Sequence, residues 1–299
     1  TCGLFAGIGG IEIGLEAAGH ETVALCEIEP SAQSVLDRRF PDLTVWSDIR
    51  DLKTLSGADL VTAGFPCQDL SQAGTKKGIT GRRSGLVSEV FRLVGGRKKP
   101  KWLLFENVSY MLRLDRGKAM AYLTQEIEAH GYRWAYRTVD ARSFGVPQRR
   151  QRVFVLASRD HDPREVLFAD DAGVDSFPDK IGEVSHDSSY GFYWTEGLRG
   201  LGWTRDAVPT VKGGSRLGIP SPPAIWQPST GLIGTPDIRD AERLQGFRSR
   251  YTEPALGDKR RDGPRWNLIG NAVCVPMTRW IGSRLMNPGS VAGLEHRAL

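Results

Sequence analysis

Near its start the chain carries Leu4-Phe5-Ala6-Gly7-Ile8-Gly9-Gly10-Ile11-Glu12, in which the end of a strand, a glycine turn and a helix follow one another without a break. Glycines at such a junction let the backbone pass close to a ligand at a helix N-terminus. The bland alternative is that they only make the turn tight. The helix is predicted over 11–18, with Gly19 as its stop. A dinucleotide fingerprint needs a third glycine where this chain has Glu12, which disfavours a nicotinamide cofactor.

Outward from this stretch, strand and helix signals alternate. Strands are expected over 22–26, 60–63, 102–105, 132–139 and 152–157, and helices over 31–39, 87–94 and 119–130. The alternation predicts an α/β sheet, largely parallel, with helices on both faces. Glu27 ends the second strand, where an acid would hold a ribose diol, and Asp48 ends the third unit, within reach of an adenine. Together these describe a nucleoside site at the carboxyl ends of parallel strands.

After about residue 160 the texture changes to Gly, Pro, Ser and Asp with few periodic segments, Ser221-Pro222-Pro223 and Lys212-Gly213-Gly214-Ser215 being loop signals. Apolar helical character returns from Trp266. The expected organisation is a discontinuous catalytic and cofactor-binding domain over 1–165 and 266–299, interrupted by a smaller, irregular domain with its hinge over 166–265. No internal repeat is visible.

Composition sets outer bounds. The chain has 299 residues, 40% hydrophobic and 25% charged, as in an ordinary globular protein. No apolar run approaches the roughly 18 residues of a membrane helix, so no membrane association is expected. Thr1-Cys2-Gly3-Leu4-Phe5 has neither the charged region nor the long apolar region of a signal peptide, and with no initiator Met the native N-terminus stays open. Cys2, Cys26, Cys67 and Cys274 show neither a metal spacing nor a disulfide framework, so no metal is expected and a cytoplasmic location is. The net charge of +5 is compatible with a polyanionic partner. Basic residues at Lys76, Lys77, Arg82, Arg83, Arg149, Arg150 and Arg152 lie beside the motifs below, where phosphate or base contact is expected. Those at 97–101 read as solvated surface.

Gly64-Phe65-Pro66-Cys67-Gln68 follows an apolar strand and puts a cysteine on a loop at the carboxyl edge of the sheet. A lone Cys is more often an inert buried side chain, but this one is flanked by Pro, Gln and nearby basic residues that favour a thiolate. Glu106-Asn107-Val108 ends the next strand at the same edge. Glu106 is a helix cap, a surface charge or, paired with a thiolate, an acid catalyst. In Gln148-Arg149-Arg150-Gln151-Arg152, an extended backbone points Arg150 and Arg152 to one face, toward solvent or into the same cleft.

The glycine turn, Pro66-Cys67-Gln68, Glu106-Asn107-Val108, Gln148 to Arg152, Arg243-Leu244-Gln245-Gly246-Phe247 and Gly270-Asn271-Ala272-Val273 occur in this order. The series resembles the C5-cytosine-specific DNA methyltransferases, especially the bacterial restriction–modification type, over nearly the whole chain. The resemblance implies a Rossmann-like class I S-adenosylmethionine-dependent fold with a smaller target-recognition domain. It places Phe5, Ile8, Gly10, Glu27, Ile28, Asp48, Ile49, Pro66, Leu86, Asn271 and Val273 around S-adenosylmethionine, which leaves as S-adenosylhomocysteine. Ile28 stands where many relatives carry a larger residue against the adenine. Cys67, Glu106, Arg150 and Arg152 match catalytic or base-holding positions, and Gln68, Ser71, Arg83 and Thr210 match DNA contacts. The segment 71–85 matches a loop that closes over DNA, and about 160–239 resembles the target-recognition region.

By the same resemblance, Cys67 adds to C6 of a cytosine flipped out of the duplex, Glu106 stabilises the protonated ring, Arg152 holds O2 and Arg150 supports the site electrostatically. The implied partner is double-stranded DNA, with a separate restriction endonuclease and a monomeric state as further expectations, and use at the bacterial nucleoid. One branch of the family modifies transfer RNA; the long variable region favours DNA. A catalytically dead DNA-binding regulator is the rival from another class, and the intact Cys67, Glu106 and Arg152 argue against it. The target sequence is not legible, because base contacts depend on loop geometry.

Overall fold

The computed structural model describes residues 1–65, 86–169, 183–193, 202–213, 221–256 and 262–288. Its centre is a seven-stranded sheet of order β3-β2-β1-β4-β5-β8-β6. The strands are β1 (Cys2–Leu4), β2 (Ala24–Cys26), β3 (Val45–Trp46), β4 (Leu60–Ala63), β5 (Trp102–Val108), β6 (Arg133–Asp140) and β8 (Gln151–Ser158), with the short β7 (Gln148–Arg149) between the last two. From β3 to β5 every pairing is parallel, while β8 runs antiparallel to both β5 and β6. The expected mainly parallel α/β sheet is therefore present. β3, two residues long and half-exposed, carries too little pattern to read from sequence.

Helices cover both faces. Buried residues of α3 (Leu86–Val94) and α4 (Lys118–Ala129) share one core cluster with Leu4, Ala63, Phe105 and Val155. Residues of α1 (Gly10–Glu16), α5 (Arg164–Leu167) and α8 (Val275–Leu285) share the other with Leu104, Phe154 and Leu156. Strand side chains alternate between the two clusters, as a pleat with helices on both sides requires. α1 and α8 come close because Gly14 has no side chain: a Cβ there would lie 2.0 Å from Thr278 Oγ1. Beside α1 lies α2 (Pro30–Arg39), started by a proline in its first turn.

Three differences from the sequence reading have local causes. Phe5 leaves β1 with a φ of 54°, because the turn begins there. α1 ends at Glu16 rather than at residue 18, and Gly19 then takes a φ of 98° as the chain reverses. β2 begins at Ala24, two residues late, since Val23 is already exposed.

A second, four-stranded antiparallel sheet has the order β10-β9-β12-β13, formed by β9 (Tyr190–Phe192), β10 (Thr204–Arg205), β12 (Ala224–Gln227) and β13 (Leu232–Gly234). Tyr190, Phe192, Trp203 and Trp226 pack together on it. Between the sheets, β11 (Val208–Pro209) pairs with β7. The chain then forms α6 (Ile238–Arg243), started by an Asp237 capping box, and α7 (Gly263–Asn271).

Candidate active site

The carboxyl ends of β1, β2, β4 and β5 meet at one edge. At the end of β5, Glu106 is buried, and its Oε1 lies 2.8 Å from Arg152 Nε. The register explains the pair. Val108 stands opposite Arg152, so Glu106, two residues back, is the diagonal neighbour of Arg152 on the same face. Burial pushes the Glu106 carboxyl above its usual range, and the charges of Arg152 and Arg150 partly oppose that shift. The result is a desolvated acid beside a fixed cation.

The same carboxylate borders the end of β4. A Cβ built on Gly64 would sit 3.7 Å from Glu106 Oε2 and 3.7 Å from the Phe5 carbonyl oxygen. Gly64 thus marks the point where the glycine turn, the Glu106 strand and the chain leading to Cys67 converge. Asn107 Nδ2 donates to the Phe65 carbonyl at 3.3 Å, and Phe65 meets Phe105 edge-on at 6.4 Å. These contacts fix where the chain departs toward Pro66. Pro66, Cys67, Gln68, Ser71 and Arg83 themselves, like the whole 71–85 segment, lie outside the described residues. Leu86, where α3 begins, is half-buried.

The three cysteines among the described residues are poor nucleophiles. Cys2, Cys26 and Cys274 are buried, and burial pushes each thiol up to about 12. A thiol in that state supplies almost no thiolate at neutral pH.

At the glycine turn, Gly7 has a φ of 56° and Gly9 of 81°, values that favour glycine. Glu27, half-buried at the end of β2, accepts the Gly7 amide on Oε2 at 2.7 Å and the Glu29 amide on Oε1 at 2.8 Å. A carboxylate has about four acceptor sites, so two more donors can be accommodated. Burial raises the proton affinity of Glu27 and these amides counter it. A Cβ on Gly7 would meet nothing within 4 Å, whereas one on Gly10 would lie 2.7 Å from the Val273 carbonyl oxygen. The turn is therefore open at Gly7 and closed at Gly10. Ile28 is 60% exposed, an uncovered apolar surface beside the Glu27 carboxylate.

Other expected cofactor residues are placed differently. Asp48 is held by the exposed Arg50, whose hydrogen bonds lower its carboxyl to about 2. Ile8 and Ile49 are buried among core side chains. Val273 is also core, and Asn271, exposed at the end of α7, has its amide on Asn267 Oδ1 at 3.2 Å.

Arg150 is more deeply buried than Arg152. Its guanidinium is fully buried and donates to the carbonyls of Val211 at 3.3 Å, Gly270 at 3.0 Å and Ala272 at 2.6 Å. It ties three segments together and acts on Glu106 through its charge. Thr210 is half-buried, and its hydroxyl donates to the Arg149 carbonyl at 2.7 Å.

Gln148 and Gln245 interlock the back of the site. Gln148 accepts the Val211 amide at 2.9 Å and donates to the Leu244 carbonyl at 2.7 Å, while Gln245 donates to the Ile269 carbonyl at 2.9 Å. No spacing signal could have revealed this, because the partners are 63 to 97 residues away or, for Ile269, 24.

The glycine turn, Gly64 and Glu106 thus converge at one sheet edge. The family model for C-5 cytosine-specific DNA methylase matches residues 1–189. The chain belongs to that family. Type II methyltransferase M2.BsuMI of Bacillus subtilis (strain 168) is 53% identical over 98% of this chain and 77% of its own length. Type II methyltransferase M.NlaX of Neisseria lactamica is 30% identical over 94% of both chains. Among solved structures, the Dnmt2 methyltransferase of S. pombe covers 96% of this chain and 98% of its own with a TM-score of 0.68 at 18% identity, a likeness of fold. The fold is thus the class I methyltransferase sheet, and the activity of the family is C5 methylation of cytosine in DNA, with S-adenosylmethionine as the donor that the family implies. Among the described residues no helix is long and apolar enough to cross a membrane, and no cluster of His, Cys, Asp and Glu suits a metal ion.

Proposed function

We propose that this protein methylates a flipped cytosine of double-stranded DNA with Cys67 as the nucleophile, Glu106 as the acid and Arg152 as the residue that holds the base. The observation that carries the reading is the buried Glu106–Arg152 pair beside Gly64, three residues before Cys67. The raised thiols of the other three cysteines leave Cys67 as the candidate by elimination.

The residues at the glycine turn fit the nucleoside part of S-adenosylmethionine. Glu27 would take the ribose hydroxyls, Ile28 would cover the adenine and the open flank at Gly7 would face the ligand. When bound, S-adenosylmethionine supplies an electrophilic methyl group. The protein must make cytosine C5 nucleophilic toward it. Cys67 as thiolate adds to C6 while Glu106 passes its proton to N3, which leaves an enamine with its electron pair at C5. Burial raises the proton affinity of Glu106, which favours its carrying that proton. Arg152, already fixed against Glu106, would hold O2. After transfer, loss of the C5 proton to a base and expulsion of the thiolate restore the ring, and Glu106 regains the N3 proton. Flipping the base costs roughly a few kcal/mol, which closure of the 71–85 segment would offset.

The segment 166–265 is proposed as the target-recognition domain and hinge, with 1–165 and 266–299 as the catalytic domain. Phosphate oxygens only accept, so Thr210 would contact a phosphate only if its hydroxyl left Arg149. Gln68, Ser71 and Arg83 would contribute the remaining DNA contacts. A separate endonuclease of the same specificity, a monomeric state and a cytoplasmic site of action at the nucleoid complete the proposal.

Duplex DNA carrying 5-fluorocytosine at the target should trap the protein covalently, since fluorine blocks the last proton loss. Cys67→Ser should abolish the trapped species; equal trapping would remove Cys67 from the mechanism. Glu106→Gln should keep DNA affinity while methyl transfer falls by about 10²-fold or more. Bisulfite sequencing of expressing cells reports base and site together, and transfer RNA assayed beside duplex DNA decides the polymer.

A further inference from the structure

We infer that Tyr251 is a positioning residue for the cofactor turn: its buried hydroxyl sets the orientation of the Gly7–Gly9 backbone from behind, and so sets the affinity for the nucleoside. The inference rests on the reading of the Phe5–Gly10 turn as the cofactor site. Tyr251 is 4% exposed, and its hydroxyl donates to the Ile8 carbonyl at 2.7 Å. Packing alone would be met by a phenylalanine there, so the hydroxyl answers a need for a donor. Gly7 is drawn the opposite way, its amide donating to Glu27 Oε2. The Gly7–Ile8 peptide unit between these bonds is thereby gripped from both sides, in a turn whose glycine dihedrals allow many alternatives.

Tyr251 is itself firmly held. Its ring lies 4.6 Å from that of Phe247, and Phe247 approaches the point where a Cβ on Gly10 would stand, at 3.2 Å. Arg39, at the end of α2, donates to the Tyr251 carbonyl at 2.7 and 3.1 Å and lies 4.7 Å over its ring. The loop carrying Tyr251 includes Arg250 at a φ of 64°, a region unfavourable to a side chain. Fully buried Glu242 holds that loop: it accepts the amides of Arg250 and Thr252 and the Thr252 hydroxyl, and pairs with Arg265 at 2.9 Å. A buried ion pair spanning α6 and α7 therefore ends in one hydroxyl placed on the glycine turn.

The test is Tyr251→Phe, read by calorimetry with S-adenosylhomocysteine and by steady-state kinetics, with Glu27→Ala in parallel. Loss of one buried hydrogen bond at the turn should weaken binding roughly tenfold. KM for S-adenosylmethionine should rise by a similar factor with kcat changed less than about twofold, since the reacting groups are untouched. Arg39→Met, which loosens Tyr251 while keeping its hydroxyl, should give the same split at about threefold. Should Tyr251→Phe fail to fold, this variant carries the test. Unchanged affinity in the folded variants, with Glu27→Ala weakened, overturns the role of Tyr251 and spares the cofactor site. Unchanged affinity in Glu27→Ala overturns the cofactor site and this inference with it. A fall in kcat alone would place Tyr251 in the chemistry, which also overturns it.

Discussion

In the seven-stranded sheet, every residue of β1, β2 and β4 is buried, and β8 buries all but its first. In the four-stranded sheet, β13 turns all three of its residues to solvent, with Leu232 68% and Ile233 58% exposed. The first sheet also encloses charge: Glu106, Arg150, Arg152 and Glu12 are all buried at or beneath its carboxyl edge. Around the second, the packing is aromatic and its ion pairs, such as Arg205–Asp206, are half-exposed. Buried charges fix geometry because leaving one partner uncompensated is costly, whereas exposed pairs and apolar edges tolerate change. The contrast teaches that the chemistry rests on an over-determined surface and that the second sheet has room to vary.

The strongest way to break the contrast is to remove Arg150. Arg150→Met keeps bulk but leaves the carbonyls of Val211, Gly270 and Ala272 without their donor. The loss should be at least about 3 kcal/mol in urea unfolding, given that hydrogen bonds to charged groups contribute roughly 1.5 to 3 each. A variant of parental stability would show that the buried cation is dispensable to the fold.

Glu12 sharpens the same side of the comparison through pH. It is buried on α1 and accepts the Thr62 hydroxyl at 2.8 Å, while Oε2 has no partner. Burial raises its carboxyl from 4.5 to about 7. The folded protein therefore holds a proton that the unfolded chain has released between those values, so stability falls as pH rises through this window. The fall should reach at most about 3 kcal/mol. Glu12→Gln should flatten it between pH 5 and 7.5. An unchanged slope would assign the pH dependence to another group.

What was legible in the sequence follows the same divide. Apart from β3, the strands of the first sheet are apolar runs between glycine and acid signals, so their order along the chain and the meeting of Glu106 with the glycine turn at one edge could be anticipated. The reversal of β8 could not, because a buried strand has the same composition in either direction. Nor could the carbonyl partners of Arg150, which lie 61 to 122 residues later. In the second sheet, strands of two to four residues give too few alternations to detect, and the aromatic cluster joins β9 and β12 with Trp203, residues far apart in the chain.

Thr210 lies at the seam between the two regions. Thr210→Val removes the donor to the Arg149 carbonyl and keeps the shape. If the hydroxyl is an internal tie, stability should fall by about 1 kcal/mol, and the DNA affinity of the folded variant should stay near that of the parent. Unchanged melting with weakened DNA binding would instead place the hydroxyl on DNA.

The smallest effect is expected at the edge of the second sheet. β13 pairs with β12 through Ile225–Gly234, Trp226–Ile233 and Gln227–Leu232, and among the described residues no further strand follows it in the sheet order. Leu232 and Ile233 therefore stabilise the fold through backbone pairing more than through burial. Replacing both by serine removes little area that folding had taken from water, so stability should stay within about 0.5 kcal/mol of the parent. The lost β-propensity of two positions works in the same unfavourable direction and is limited on an edge strand. Cofactor affinity should be unchanged, because neither residue belongs to the core clusters beneath the glycine turn. The measurement is a pair of urea melts with calorimetry against S-adenosylhomocysteine. A loss above about 1 kcal/mol would mean that these side chains are covered in the folded protein, and a loss of cofactor affinity would mean that the two sheets are energetically one unit. Either result would remove the basis for treating the second sheet as the part of the molecule free to change.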